Sequence, residues 1–151
     1  MVVLGISIGT RLAGIAVKRD GELITHQVKV FKGVWNAQKQ REILTLFDKV
    51  YAYYGVTHIT LKTVNPLHTT KSLHVLITTL TVQAEKKNIT VKPYSLHAIK
   101  KALHLNSKEN LMEYVAEEHY ELRKEYLKEK NSFHPYYMRM FEAIALTEME
   151  K

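Results

Sequence analysis

The first thirty residues run in short, mostly apolar stretches separated by glycine turns, and apolar residues recurring at three- and four-residue steps dominate the rest of the chain. The opening pattern predicts strands over 2–8, 14–18 and 23–31. Asp20-Gly21 sits where a tight hairpin turn belongs. In the third strand the alternation at Leu23, Thr25, Val28 and Val30 is imperfect, which allows a bulge. Ile43, Leu44, Phe47, Val50 and Tyr54 then predict a helix over 35–53, stopped by Gly55. A strand over 58–64 comes next, broken by Asn65-Pro66. A helix over 70–87 carries Leu73, Leu76, Ile77, Leu80 and Ala84 on one face, and residues 89–91 read as a short strand. Ser95 caps a helix over 96–103. Asn106, with Glu109 three residues on, reads as a capping box for a long helix to residue 130. Residues 131–135 break the chain before a last helix carrying Tyr137, Met140, Phe141, Ile144, Ala145 and Met149. Three antiparallel strands followed by two strand–helix units predict an α/β fold, a mixed five-stranded sheet with helices on both faces.

Composition narrows this picture. At 151 residues and 46% hydrophobic, the chain is expected to form one domain over 1–151 with a sizeable core. Cysteine is absent, which excludes disulfides, thiolate metal sites and cysteine nucleophiles and fits a reducing cytoplasm. No signal-peptide pattern opens the sequence, and no apolar run nears the roughly 20 residues a bilayer span needs. Net charge is +7, and it is unevenly placed. Residues 86–108 hold six lysines and no acid, whereas 109–129 hold seven glutamates and three Lys or Arg. The glutamate-rich stretch reads as the solvated face of an amphipathic helix. The eight histidines show no pair on one helix face with a third ligand, so no zinc site is expected.

Four segments, in order, resemble the RuvC-type Holliday-junction resolvases of the ribonuclease H-like group. Residues 4–17, Leu-Gly-Ile-Ser-Ile-Gly-Thr-Arg-Leu-Ala-Gly-Ile-Ala-Val, are similar to that family's opening hairpin, where an Asp stands at the position of Ser7. Residues 59–64 resemble its fourth strand, which normally ends in a Glu. Residues 89–103, with Lys100-Lys101, resemble its fifth strand and following helix. Residues 140–147 resemble its last helix, where two Asp are usual. The resemblance implies a ribonuclease H-like fold and two-metal phosphodiester hydrolysis, in which paired Mg²⁺ ions held by four carboxylates activate water and stabilise the leaving oxygen. Carried over position by position, those carboxylates fall on Ser7, Lys62, Arg139 and Glu142. The set sums to about +1 instead of about −4, and a unit charge at ~4 Å is worth about 4 kcal/mol even when well screened. No intact catalytic site and no metal site are therefore expected; Mg²⁺ enters only if other ligands have taken over. No one-residue slip restores the cluster, since Glu148 and Glu150 lie beyond the matching positions. Lys62 and Arg139 are expected to pair with Glu142 in the vacated region.

Binding survives loss of catalysis, because phosphate recognition needs only cations on one face. Thr10, Arg11, Lys92, Lys100, Lys101 and Lys108 are the candidate contacts to DNA or RNA. Tyr136-Tyr137 offers rings for stacking, or for packing. The helix with Leu73, Leu76 and Leu80 is core first, and the resemblance implies it can also form a homodimer contact. The expected function is a non-catalytic protein that binds structured or branched nucleic acid. The alternatives are an active metal-dependent endonuclease with rearranged ligands and a pseudoenzyme serving as a protein-interaction scaffold.

Overall fold

β-Branched and leucine residues recur along Val2–Ile8 (β1), Leu12–Arg19 (β2) and Glu22–Val30 (β3), and these pair antiparallel in chain order. The computed structural model describes residues 1–65, 67, 69–133 and 135–150. Asp20 and Gly21 both take positive φ, 49° and 86°, as a two-residue turn matched to strand twist requires. The irregularity falls in the β2–β3 ladder, between Val17 and Lys18. His58–Lys62 (β4) then joins β1 in parallel, and Thr90–Tyr94 (β5) joins β4. The sheet order is β3-β2-β1-β4-β5, the mixed five-stranded arrangement expected. β5 runs three residues past its expected end and takes in Pro93, which an edge strand tolerates because one side of it makes no ladder bonds.

Strand alternation sorts side chains to two unlike faces. Leu4, Ile6, Ile8, Ile15, Val17, Ile59 and Leu61 point one way and pack beneath Ala37–Tyr54 (α1) and Lys71–Lys86 (α2). On the opposite face stand Gly5, Ser7, Gly14 and Ala16, all small, and Met138–Thr147 (α6) lies on them. The second core builds outward from α6 through Leu96–Ala102 (α3), Lys108–Glu118 (α4) and Arg123–Lys130 (α5), with Ile99, Leu111, Val115, Leu122 and Phe141 at its centre.

Side-chain oxygens start the helices: Asn36 accepts from the Lys39 amide, Thr70 from Leu73, Ser95 from Ala98 and Ser107 from Asn110. The cap of α4 is thus Ser107, one residue after the expected Asn106. The long helix expected to residue 130 is two helices. His119 leaves helical geometry at φ −130° and ψ 87°, and a 3₁₀ turn over Tyr120–Leu122 leads into α5. Gly55 closes α1 at φ 64°, where its amide bonds the Tyr51 carbonyl. On α2, Leu76 and Leu80 are wholly buried in the first core and Leu73 is half-buried, so the expected dimer contact cannot use Leu76 or Leu80; Val75 and Val82 lie on the open side. Pro66, read as the breaker after β4, lies outside the described residues, as does His134 in the break before α6. Among the described residues no helix is long and apolar enough to cross a membrane.

Candidate functional site

Ser7 pairs with Gly14 across the β1–β2 ladder, and both face α6. A Cβ on Gly14 would collide with the backbone at Arg139 and Met140, and one on Gly5 with the Ala143 carbonyl. The missing side chains let α6 settle with its backbone against the sheet. The glycines of the opening hairpin are therefore the seat of a helix.

That seating delivers Glu142 between β1 and β4. Ser7 Oγ donates to Glu142 Oε1 at 2.9 Å, and Lys62 Nζ donates to Oε2 at 2.6 Å. The Glu142 side chain is 2% exposed and that of Lys62 16%. Each carboxylate oxygen thus has a charged or hydroxyl partner, which is what a buried charge requires. Ser7 is wholly buried, without the open approach a nucleophile needs. Arg139 does not join the pair. Its guanidinium lies across Gly9, with a terminal nitrogen 2.8 Å from where a Cβ would stand, and it has no ion pair or hydrogen bond among the described residues. Among the described residues Lys62 is the one cation paired with Glu142.

This donor set does not fit a pair of Mg²⁺ ions. Hard divalent cations take oxygen ligands, several of them anionic. Here one carboxylate is already neutralised by an ammonium, and the flanking groups are a hydroxyl and a guanidinium. Glu148 and Glu150 are engaged elsewhere. Tyr114 Oη donates to Glu148 Oε2 at 2.7 Å, and Lys92 Nζ donates to Glu150 Oε1 at 3.0 Å. Burial, then the bond to Glu148, pushes the Tyr114 phenol above its ordinary range.

A cavity of about 710 Å³ opens beside the Lys62–Glu142 pair. Thr10, Arg11 and Lys108, three of the candidate binding residues, line it with Arg139. Lys92, Lys100 and Lys101 stand apart from it. Lys92 is on the edge strand, its pKa raised by the bond to Glu150 and by that group's charge, and Lys100 and Lys101 close the last turn of α3. The cavity also takes in Tyr136, one of the two rings read as candidates for stacking or packing, and residues that motif matching missed: Glu109, Met112, Glu129, Lys130 and Met138. These sit on α4, α5 and the start of α6, where sequence patterns read only as amphipathic surface; the cluster of charge at 123–130 was the one available signal.

Five cations and three carboxylates line the space. Lys62 is held by Glu142, and Lys130 lies 3.9 Å from Glu109. Arg11, Lys108 and Arg139 have no ion-pair partner among the described residues. Glu129 is buried and serves α6. Its carboxylate accepts from the Tyr136 amide at 2.9 and 3.1 Å and from the Met138 amide at 2.6 Å, filling the cap that Tyr137 leaves empty. Glu129→Ala is expected to cost about 1–2 kcal/mol, the ordinary loss for a helix cap. Urea denaturation measures the cost, and faster amide exchange at Tyr136 and Met138 locates it.

No protein-family model matches the sequence, and no curated protein sequence matches it. Solved structures do. Thermus thermophilus RuvC in complex with a Holliday junction substrate superposes with a TM-score of 0.71 at 18% identity, covering 97% of this chain and 89% of that one. A second structure of Thermus thermophilus RuvC gives 0.70 at 20% identity, covering 99% and 93%. The Fowlpox virus resolvase with its substrate Holliday junction DNA gives 0.57 at 14%, covering the whole of both chains. The chain has the RuvC-type ribonuclease H-like fold.

Proposed function

We propose that this protein binds structured or branched nucleic acid through the cationic cavity beside the Lys62–Glu142 pair and does not hydrolyse it by two-metal chemistry. The observation that carries the reading is the Lys62–Glu142 ion pair, buried where the resemblance places metal-binding carboxylates. A lysine ammonium supplies one fixed positive charge there. It can neutralise a carboxylate, but it cannot activate water as a Lewis acid. Arg11, Lys108 and Arg139 remain to meet phosphate oxygens directly. The likeness to two resolvases solved with Holliday junctions makes a four-way junction the first probe to try.

Fluorescence anisotropy with a labelled four-way junction, a duplex and a single strand, each across a salt series, tests binding. Affinity is expected to fall steeply between 50 and 200 mM salt, with the log–log slope reporting roughly one phosphate per 0.9 units. Arg11→Ala and Arg139→Ala should each lower that slope by about 1. In parallel, incubation with Mg²⁺ or Mn²⁺ should leave the junction uncut on a denaturing gel. Metal-dependent cutting that Glu142→Ala abolishes would restore the endonuclease reading. Absence of salt-sensitive binding to every probe would favour a protein-interaction scaffold.

A further inference from the structure

The cavity lining mixes two chemistries. Arg11, Lys108 and Arg139 are cationic, and Tyr136, Met112 and Met138 supply a ring and two thioethers. Tyr136 is held before any ligand arrives. Its amide is fixed by Glu129, its ring meets Tyr137 edge-on at 4.8 Å and 89°, and it is still 42% exposed. An aromatic ring kept partly bare beside unpaired cations, in a space of about 710 Å³, has the composition of a small-ligand site. Phosphate alone would use the cations and leave the exposed Tyr136 ring bare. A ligand that uses both chemistries carries an anion and a flat apolar group.

We infer that the cavity receives a single unstacked nucleotide of the bound strand, its phosphate on Arg11, Lys108 and Arg139 and its base against Tyr136. This rests on the proposal that the protein binds nucleic acid here, and it adds what part of the nucleic acid is selected. In an intact duplex each base face is covered by its neighbours, so the ring finds no partner; a gap, an end, a bulge or the centre of a junction presents one. Stacking on an aromatic side chain is sequence-tolerant, so the preference is for unpaired over paired nucleotides, whatever the base.

The experiment compares two oligonucleotide duplexes of equal length and charge, one with a single unpaired 2-aminopurine and one with that base paired. The wild-type protein is expected to bind the unpaired probe between about five- and a hundredfold more tightly, with the 2-aminopurine emission quenched as it stacks on Tyr136. Tyr136→Ala should abolish both the preference and the quench while the salt-dependent affinity for the paired probe persists. Tyr136→Phe, which keeps the ring, should preserve both. Equal binding of the two probes by the wild type, or a preference that survives Tyr136→Ala, overturns the inference and leaves the binding proposal standing. Failure of both probes and of the four-way junction to bind even at low salt overturns both.

Discussion

Lys62→Met is expected to lower the stability of this protein by about 3 kcal/mol or more. The cost comes less from the attraction that is lost than from the charge left behind. Glu142 is 2% exposed, and without the ammonium its Oε2 carries negative charge in a space with no other cation bonded to it among the described residues. Breaking a buried pair by deleting one partner typically costs 3–5 kcal/mol, and the slight exposure of Lys62 places this pair toward the lower end. Glu142→Gln should cost less, because an amide keeps an acceptor for Ser7 Oγ without the charge. The double variant Lys62→Met, Glu142→Gln should recover much of the loss, since the uncompensated charge goes. Urea denaturation of the four proteins closes the cycle, and a coupling energy below about 0.5 kcal/mol would show that the two side chains do not depend on each other.

Gly14→Ala is expected to be at least as damaging, by a different route. The added methyl would meet backbone atoms of Arg139 and Met140, which cannot rotate away as a side-chain end can. Overpacking a core usually costs 1–3 kcal/mol, and a clash with helix backbone belongs at or above the top of that range, about 3 kcal/mol. Lifting α6 would also draw Glu142 from Ser7 and Lys62 and move Arg139 off Gly9, so the proposed nucleic-acid binding should weaken along with stability. Gly21→Ala serves as the contrast. It has open space around it but a φ of 86°, so its penalty is local strain and the cavity is untouched. A loss of binding in Gly21→Ala equal to that in Gly14→Ala would sink the explanation.

The sheet was legible because its signals are local. Asp20-Gly21 marks a turn by backbone preference alone, and the mostly apolar runs on either side need no distant partner to be read. The purpose of Gly5 and Gly14 was less accessible. Sequence reading assigns hairpin glycines to turns, yet here small residues at alternate positions, Gly5 and Ser7 against Gly14 and Ala16, record a helix arriving from over a hundred residues away. The break at His119 left no trace in the pattern, because Val115, His119, Leu122 and Tyr126 keep three- and four-residue steps through the 3₁₀ turn. Glu129 was hidden for a related reason, and the sequence left Tyr136 open between stacking and packing. One lies in a run of charges and the other in a break, and only the packing of α5 against the start of α6 brings them to the same wall as Arg11 and Lys62. Positions carried by the resemblance, Ser7, Lys62 and Glu142, meet in space, while Arg139 stands apart from them over Gly9.

The hydrogen bond from Ser7 to Glu142 spans 135 residues of sequence. A contact so distant carries a large loop-closure cost before it returns anything. The two opening strands can pair within the first twenty residues, but the face holding Gly5, Ser7 and Gly14 stays uncovered until α6 docks. The face that marks the opening hairpin is therefore completed by the far end of the sequence: the ion pair beside the cavity cannot form until α6 has reached the first strand.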